Sequence, residues 1–246
     1  MAETPFILIR ALRKTYFMGK QTVHALDGVD LDIQVRSFTV VMGPSGSGKS
    51  TLLYLLGGLD RPTSGSISIN GTTLDKMDEN QLAVYRRREI GFIFQSFNLI
   101  SSMSAVDNVA FPLRFAGIGG RQRRQRSLAV LKQVGLANRA FHKPTELSGG
   151  QQQRVAIARS LINQPTLILA DEPTGNLDTS TGYGIMQVLS DLHRLGHTIV
   201  VVSHDRRMQH FATNTLYLLD GRVVNESEYQ AASTFDFEAI SKGTDG

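Results

Sequence analysis

"SFTVVMGPSGSGKSTLLYLLGGL", Ser37 to Leu59, decides how this chain folds. Phe38 to Met42 is a continuous apolar and β-branched run, the pattern of a strand buried on both faces. From Ser50 onward the apolar residues fall at helical spacing. Between them "GPSGSGKS", Gly43 to Ser50, fits the pattern G-x-x-x-x-G-K-[ST] in full, in the strand–loop–helix setting that the pattern requires. Glycines there let backbone N–H groups crowd around phosphate oxygens, and the helix N-terminus adds favourable partial charge. Lys49 can reach the β- and γ-phosphates of a nucleotide, and Ser50 can offer its hydroxyl to Mg²⁺. Gly43, Pro44, Ser45, Gly46, Ser47, Gly48, Lys49, Ser50 and Thr51 are therefore the candidate phosphate-binding set.

Outward from this loop, strand and helix patterns alternate. "FILIRALRKTYF" and "VHALDGVDLDIQ" read as strands of an N-terminal β-rich unit, and "SGSISING" as a strand turning at Asn70-Gly71. From about Leu74 to Asn163 the pattern is mainly helical. "PTLILADEP" is a second buried strand, "STGYGIMQVLSDLHRLG" a helix, "HTIVVVSHD" a further strand and "TNTLYLLDGRVV" a closing hairpin. The expected class is α/β with a mostly parallel sheet. Beyond about Asn225 the chain is polar without a clear period and is expected to be loosely held.

Composition narrows the setting. The chain has 246 residues, 41% apolar, enough for a real core, and a net charge of +4. That excess is small and no basic tail carries it, so no nucleic-acid partner is expected. The arginine clusters at 86–88 and 121–126 read as solvated helix faces or as contacts with a partner protein or lipid head groups. No apolar run reaches the roughly 18 residues needed to cross a bilayer. The first residues lack the signal-peptide pattern, so a cytoplasmic chain is expected. There is no cysteine, which excludes disulfides and thiolate metal sites.

Asp171 and Glu172 stand at the exit of the "LILAD" strand. In open α/β sheets ligands sit beyond the carboxyl ends of the strands, which sets these acids beside the phosphate loop. Asp171 is the candidate Mg²⁺ holder, and Glu172 the group that orients or deprotonates an attacking water. Alternating strand geometry sends adjacent side chains to opposite faces, so different roles are expected.

"ELSGGQQQRVAIARS", Glu146 to Ser160, looks like a second glycine-rich entry into a helix. Taken in order with "GPSGSGKST" and "LILADEP", it resembles the nucleotide-binding subunits of ABC transporters over nearly all of residues 6–223. That resemblance implies the ABC ATPase fold. This is a P-loop NTPase core of roughly 1–94 and 165–224, with an N-terminal antiparallel β subdomain. A helical subdomain of roughly 95–164 is inserted, and 225–246 is a polar tail. It implies ATP and Mg²⁺ as ligands and gives further positions roles. Tyr16 resembles the aromatic that stacks on adenine. Gln95 resembles the glutamine that touches Mg²⁺ or the attacking water. His204 resembles the histidine on the γ-phosphate, and Asp178 the loop aspartate facing the opposite subunit. In that family Ser148, Gly149, Gly150 and Gln151 of one copy would face the ATP held by Lys49 of a second, head-to-tail copy.

Details such as "LLYLLGGLDRPTSG", "FIFQSFNLISSMSAVDNVAFPL" and "LADEPTGNLD" are similar to the macrolide-exporter and lipoprotein-releasing (MacB/LolD) group. This implies a separately encoded integral membrane permease, export or extraction of a substrate, and a peripheral position on the cytoplasmic face of the inner membrane. A coupling helix of the permease would dock around residues 96–140. "QQQR" departs from the commoner acidic "GEQQR"-like run, and the tail is longer than usual. Import, a soluble ABC ATPase acting on DNA or ribosomes, a small-molecule kinase and a non-hydrolysing binder are the alternatives. The single cassette, the absence of sustained heptads and the "LSGGQQQR" stretch count against the soluble and kinase readings. Lys49, Glu172 and His204 together count against a binder without turnover.

Overall fold

The computed structural model describes residues 4–19 and 21–232. Two long strands, β1 (Ile7–Met18) and β2 (Gln21–Ile33), pair antiparallel. The strand β3 (Phe38–Met42) leads through the glycine-rich loop to helix α1 (Lys49–Leu56). Strands β4 (Ser64–Ile69) and β5 (Thr72–Thr73) meet at Asn70 and Gly71, whose left-handed φ values of 49° and 75° suit the tight hairpin expected there. Helix α2 (Glu79–Glu89), strand β6 (Ile90–Ile93) and helices α3 (Ala105–Arg114), α4 (Gly120–Gln133) and α5 (Gly149–Leu161) follow. The chain then returns through β7 (Leu167–Asp171), α6 (Thr179–Arg194), β8 (Thr198–Ser203), β9 (Asn214–Leu219) and β10 (Arg222–Val224).

One sheet is antiparallel in the order β2-β1-β4-β5, and the other runs β10-β9-β3-β8-β7-β6. In the second sheet only the β9–β10 pairing is antiparallel. Its central strands are buried on both faces, and their period of two divides them between two cores. Phe38, Val40, Ile168, Ala170, Ile199 and Val201 pack against α3, α4, α5 and α6. Val41, Leu167, Leu169, Val200 and Val202 pack against α1 and the antiparallel sheet.

Within the stretch read as mainly helical, β6 is a strand paired parallel to β7, four residues long between α2 and the loop carrying Gln95. That loop is pinned by Asn108 of α3, which is fully buried. Its Oδ1 accepts from Ile100 N at 2.7 Å and its Nδ2 donates to the Ile100, Met103 and Ser104 carbonyls. Of the segment expected to be loosely held, residues 226–232 are helical and Tyr229 is buried, its ring stacked on Tyr217 at 4.8 Å. The remainder, 233–246, lies outside the described residues. In the first arginine cluster, Arg86 donates to the Gly58 carbonyl and Arg87 to that of Phe115, while Arg88 is exposed. Of those on α4, Arg121, Arg124 and Arg126 are exposed, Arg124 over the Phe141 ring, while Arg123 donates to the Ile118 carbonyl.

Candidate active site

The parallel register determines which residues meet. Met42 lies opposite Ser203, Asp171 opposite Val202, and Ile93 opposite Ala170. Gly43, Glu172, His204 and Gln95 therefore all emerge at the carboxyl edge of four neighbouring strands, β3, β7, β8 and β6. This is where an open α/β sheet receives its ligand.

The loop after β3 has the features expected of a phosphate cradle. Gly46 has φ 81°, and a Cβ there would meet nothing within 4 Å, so the space is open to a ligand. The Ser47 hydroxyl is buried without a partner, an unmet hydrogen-bonding group in the cradle. Lys49 is buried, and its ammonium donates to the Gly43 and Pro44 carbonyls at 2.9 and 2.7 Å. Burial lowers its pKa, while Glu172 and Asp171 pull it back up. These features fit a bound triphosphate, and the hydroxyl–carboxylate pair of Ser50 and Asp171 fits a hard divalent cation such as Mg²⁺.

Asp171 is the last residue of β7 and is buried. Its Oδ1 accepts from Ser50 Oγ at 2.9 Å and its Oδ2 from Tyr54 Oη at 3.0 Å. Burial and the Asp171 charge push the Tyr54 hydroxyl up to about 12. Glu172 follows with φ 42°, so its departure from Asp171 owes more to a left-handed residue than to strand alternation. Its backbone N–H donates to the Val202 carbonyl at 3.0 Å, fixing the turn. Its carboxylate Oε2 lies 3.0 Å from Nδ1 of His204, an exposed imidazole. Gln95 lies beside the same turn: a Cβ on Gly175 would sit 2.7 Å from its Nε2 and 3.3 Å from Glu172 Oε2. The Asn176 amide donates to the Gln95 carbonyl at 3.1 Å.

Tyr16 lies on β1, half-buried, with its hydroxyl donating to Asp60 Oδ2 at 2.8 Å and the Lys14 ammonium 4.8 Å from its ring centre. Burial raises the Tyr16 pKa.

The second loop is a helix cap. Ser148 caps α5 by accepting from Gln151 N at 3.4 Å, while the Gln151 side chain accepts from Ser148 N at 3.0 Å. Gly150 packs tightly: a Cβ there would fall 2.3 Å from Thr181 Cγ2, so a larger residue would force that side chain to move. Among the described residues, no hydrogen bond or ion pair joins this loop to residues 43–51 of the same chain. Asp178 caps α6, accepting from Thr181 N at 3.0 Å, and this bonding to Thr181 lowers its pKa.

Three supporting residues escape a motif reading: Tyr54, Gln153 and Arg159. Gln153 is fully buried on α5 and donates to the Pro173 carbonyl at 2.8 Å, beside Glu172. Arg159, on the same helix, donates to the carbonyls of Phe97, at 2.8 Å, and Asn98. The four-residue step from Ser50 to Tyr54 was the available signal for the first of them.

Comparison with known proteins agrees with this geometry. The ABC transporter family profile matches residues 26–175. An uncharacterized ABC transporter ATP-binding protein of Thermotoga maritima is 48% identical over 210 residues, 85% of this chain and 90% of that protein. The macrolide export ATP-binding/permease protein MacB of Chlorobaculum tepidum is 48% identical over 89% of this chain, which spans only 34% of that longer protein. A dimeric structure of the ATP-binding cassette MJ0796, in a post-hydrolysis state bound to ADP and Pi, is 46% identical. It superposes with a TM-score of 0.83, covering 89% of this chain and 97% of that one. A phosphate cradle, a carboxylate pair and a capped glycine loop on one α/β frame, together with these likenesses, lead to one assignment: the chain belongs to the ABC transporter ATP-binding family and is an ABC ATPase.

Proposed function

We propose that this chain hydrolyses ATP as a head-to-tail pair with a second copy of itself, driving a separate membrane permease. The observation that carries the reading is the 3.0 Å approach of His204 Nδ1 to Glu172 Oε2, one strand end away from the Ser50–Asp171 pair. In this reading the amides of residues 43–51 bind the phosphates, and Lys49 exchanges its loop carbonyls for the β- and γ-phosphate oxygens. Tyr16 stacks on the adenine. Ser50, Asp171 and Gln95 hold Mg²⁺, which when bound neutralises charge on the phosphates. Glu172 takes a proton from water as the water oxygen bonds to the γ-phosphorus and the bond to the bridging oxygen breaks. His204, its Nδ1 3.0 Å from Glu172 Oε2, keeps the carboxylate aimed while its ring faces the γ-phosphate.

Ser148, Gly149, Gly150 and Gln151 act on the nucleotide of the second copy, and Asp178 faces that copy. The N-terminus of the 13-residue α5 then completes a site that one chain leaves open. The dimeric relative supports this arrangement. We assign 95–164 to the helical subdomain. Between it and the core lies a cleft of about 660 Å³, lined by Val84, Arg87, Phe92, Phe111, Phe115 and Arg159. Its apolar floor and cationic rim suit an amphipathic helix of a permease. No helix among the described residues is long and apolar enough to cross a membrane. The likeness to macrolide exporters supports export or extraction, with this chain on the cytoplasmic face of the inner membrane.

Ser148→Arg tests the shared site. It should stop hydrolysis and ATP-driven dimerisation while the isolated chain still binds nucleotide. Loss of nucleotide binding by the monomer would mean that the loop serves its own chain's site.

A further inference from the structure

We propose that Tyr54 is a positioning residue for the metal-site carboxylate: its hydroxyl holds one oxygen of Asp171 so that the other is presented to Ser50. The inference rests on the reading of Asp171 as a metal holder.

Both hydroxyls come from α1, four residues apart, so they rise from one face of the helix. Ser50 Oγ donates to Oδ1 at 2.9 Å and Tyr54 Oη to Oδ2 at 3.0 Å. A carboxylate turns easily about its terminal torsion, which has a broad, two-fold profile. Two donors on opposite oxygens remove that freedom, and Asp171 at 7% exposure has little water to take their place. The Tyr54 ring is itself held. It packs on Phe92 of β6, ring centres 5.8 Å apart, and Phe92 stacks on Phe94 at 4.4 Å. Tyr54 thus reaches Asp171 from a seat packed on β6, and acts on the metal only through the carboxylate.

The test uses Mn²⁺ as the probe, with the Glu172→Gln protein saturated with ATP so that nucleotide is not consumed. The free-Mn²⁺ electron paramagnetic resonance signal then gives the metal affinity of the protein–ATP complex. Tyr54→Phe, which keeps the ring and removes the donor, should weaken Mn²⁺ binding about tenfold, as expected for a lost hydrogen bond to a charged group. Its affinity for ATP without metal should stay within about twofold, since nothing in the cradle is touched. Asp171→Asn should weaken Mn²⁺ binding at least as much, and adding Tyr54→Phe to it should change nothing further. If Asp171→Asn weakens the metal and Tyr54→Phe does not, the inference is wrong and the Asp171 reading stands. If Asp171→Asn itself has no effect, the reading beneath the inference is wrong. A Tyr54→Leu protein that alone shows the loss would assign Tyr54 to packing, and additive losses in the double variant would give it a separate role; either result overturns the proposal.

Discussion

Replacing Glu172 by glutamine isolates its chemistry from its shape. The side chain keeps its length, and its amide takes the place of the carboxylate that lies 3.0 Å from His204 Nδ1. What changes is the charge facing that exposed imidazole and the capacity to take a proton. Losing an ion-pair contact of this exposed kind costs about 0–1 kcal/mol. For a chain of this size that is a fall of at most about 4 °C in Tm. Positive φ at Glu172 is a backbone matter and is carried equally by both residues. The chemical step should suffer far more: removing a positioned general base slows it about 10²–10⁴-fold. ATP affinity should be unchanged, and a nucleotide-bound dimer should accumulate because the step that dissolves it is blocked. Steady-state phosphate release, calorimetric unfolding and light scattering with ATP and Mg²⁺ read the three quantities. Turnover above about a tenth of the parent rate would remove Glu172 as the base. A protein that remains monomeric with ATP would refute the shared site.

Arg159→Met should cost about 1–3 kcal/mol by leaving the Phe97 and Asn98 carbonyls without their donor. Differential scanning calorimetry should show the fall, with nucleotide binding by the monomer retained. Arg207 bonds the Asp205 carboxylate and holds it below the usual aspartate range. The pair therefore contributes stability above the unfolded aspartate pKa, and that stability is lost as pH falls through the lowered folded value. Arg207→Gln should raise the midpoint of acid unfolding, followed by circular dichroism; an unmoved midpoint would show the pair to be indifferent.

Wherever chemistry demands particular residues at contiguous positions, the chain was readable before its structure. The cradle from Gly43 to Thr51 is one such place, and the buried runs "FTVVM", "LILAD" and "TIVVVS" are others, because each must satisfy two cores at once. Strand β6 was hidden because four residues following a helix carry too little period to be separated from it. Tyr54, Gln153 and Arg159 were hidden for a different reason. Their positions suit ordinary helix faces, and only the tertiary partner, a carboxylate or a carbonyl from elsewhere in the chain, gives each a task. Tyr229 is the same case in the C-terminal segment, where a polar composition conceals a buried ring. The left-handed turn at Glu172 leaves no trace in residue type, since nothing about glutamate favours it.

Helix α5 has Ser148 at its entrance and Arg159 near its far end, the latter clamped to the loop that follows Gln95. Eleven residues at about 1.5 Å each make a rigid arm of roughly 16 Å. Pivoted at Arg159, a swing of about 10° carries Ser148 through roughly 3 Å, the reach of a hydrogen bond. Under the proposed shared site, gearing of this kind would turn a small displacement at the cleft into the whole difference between touching and missing a phosphate on the neighbouring copy.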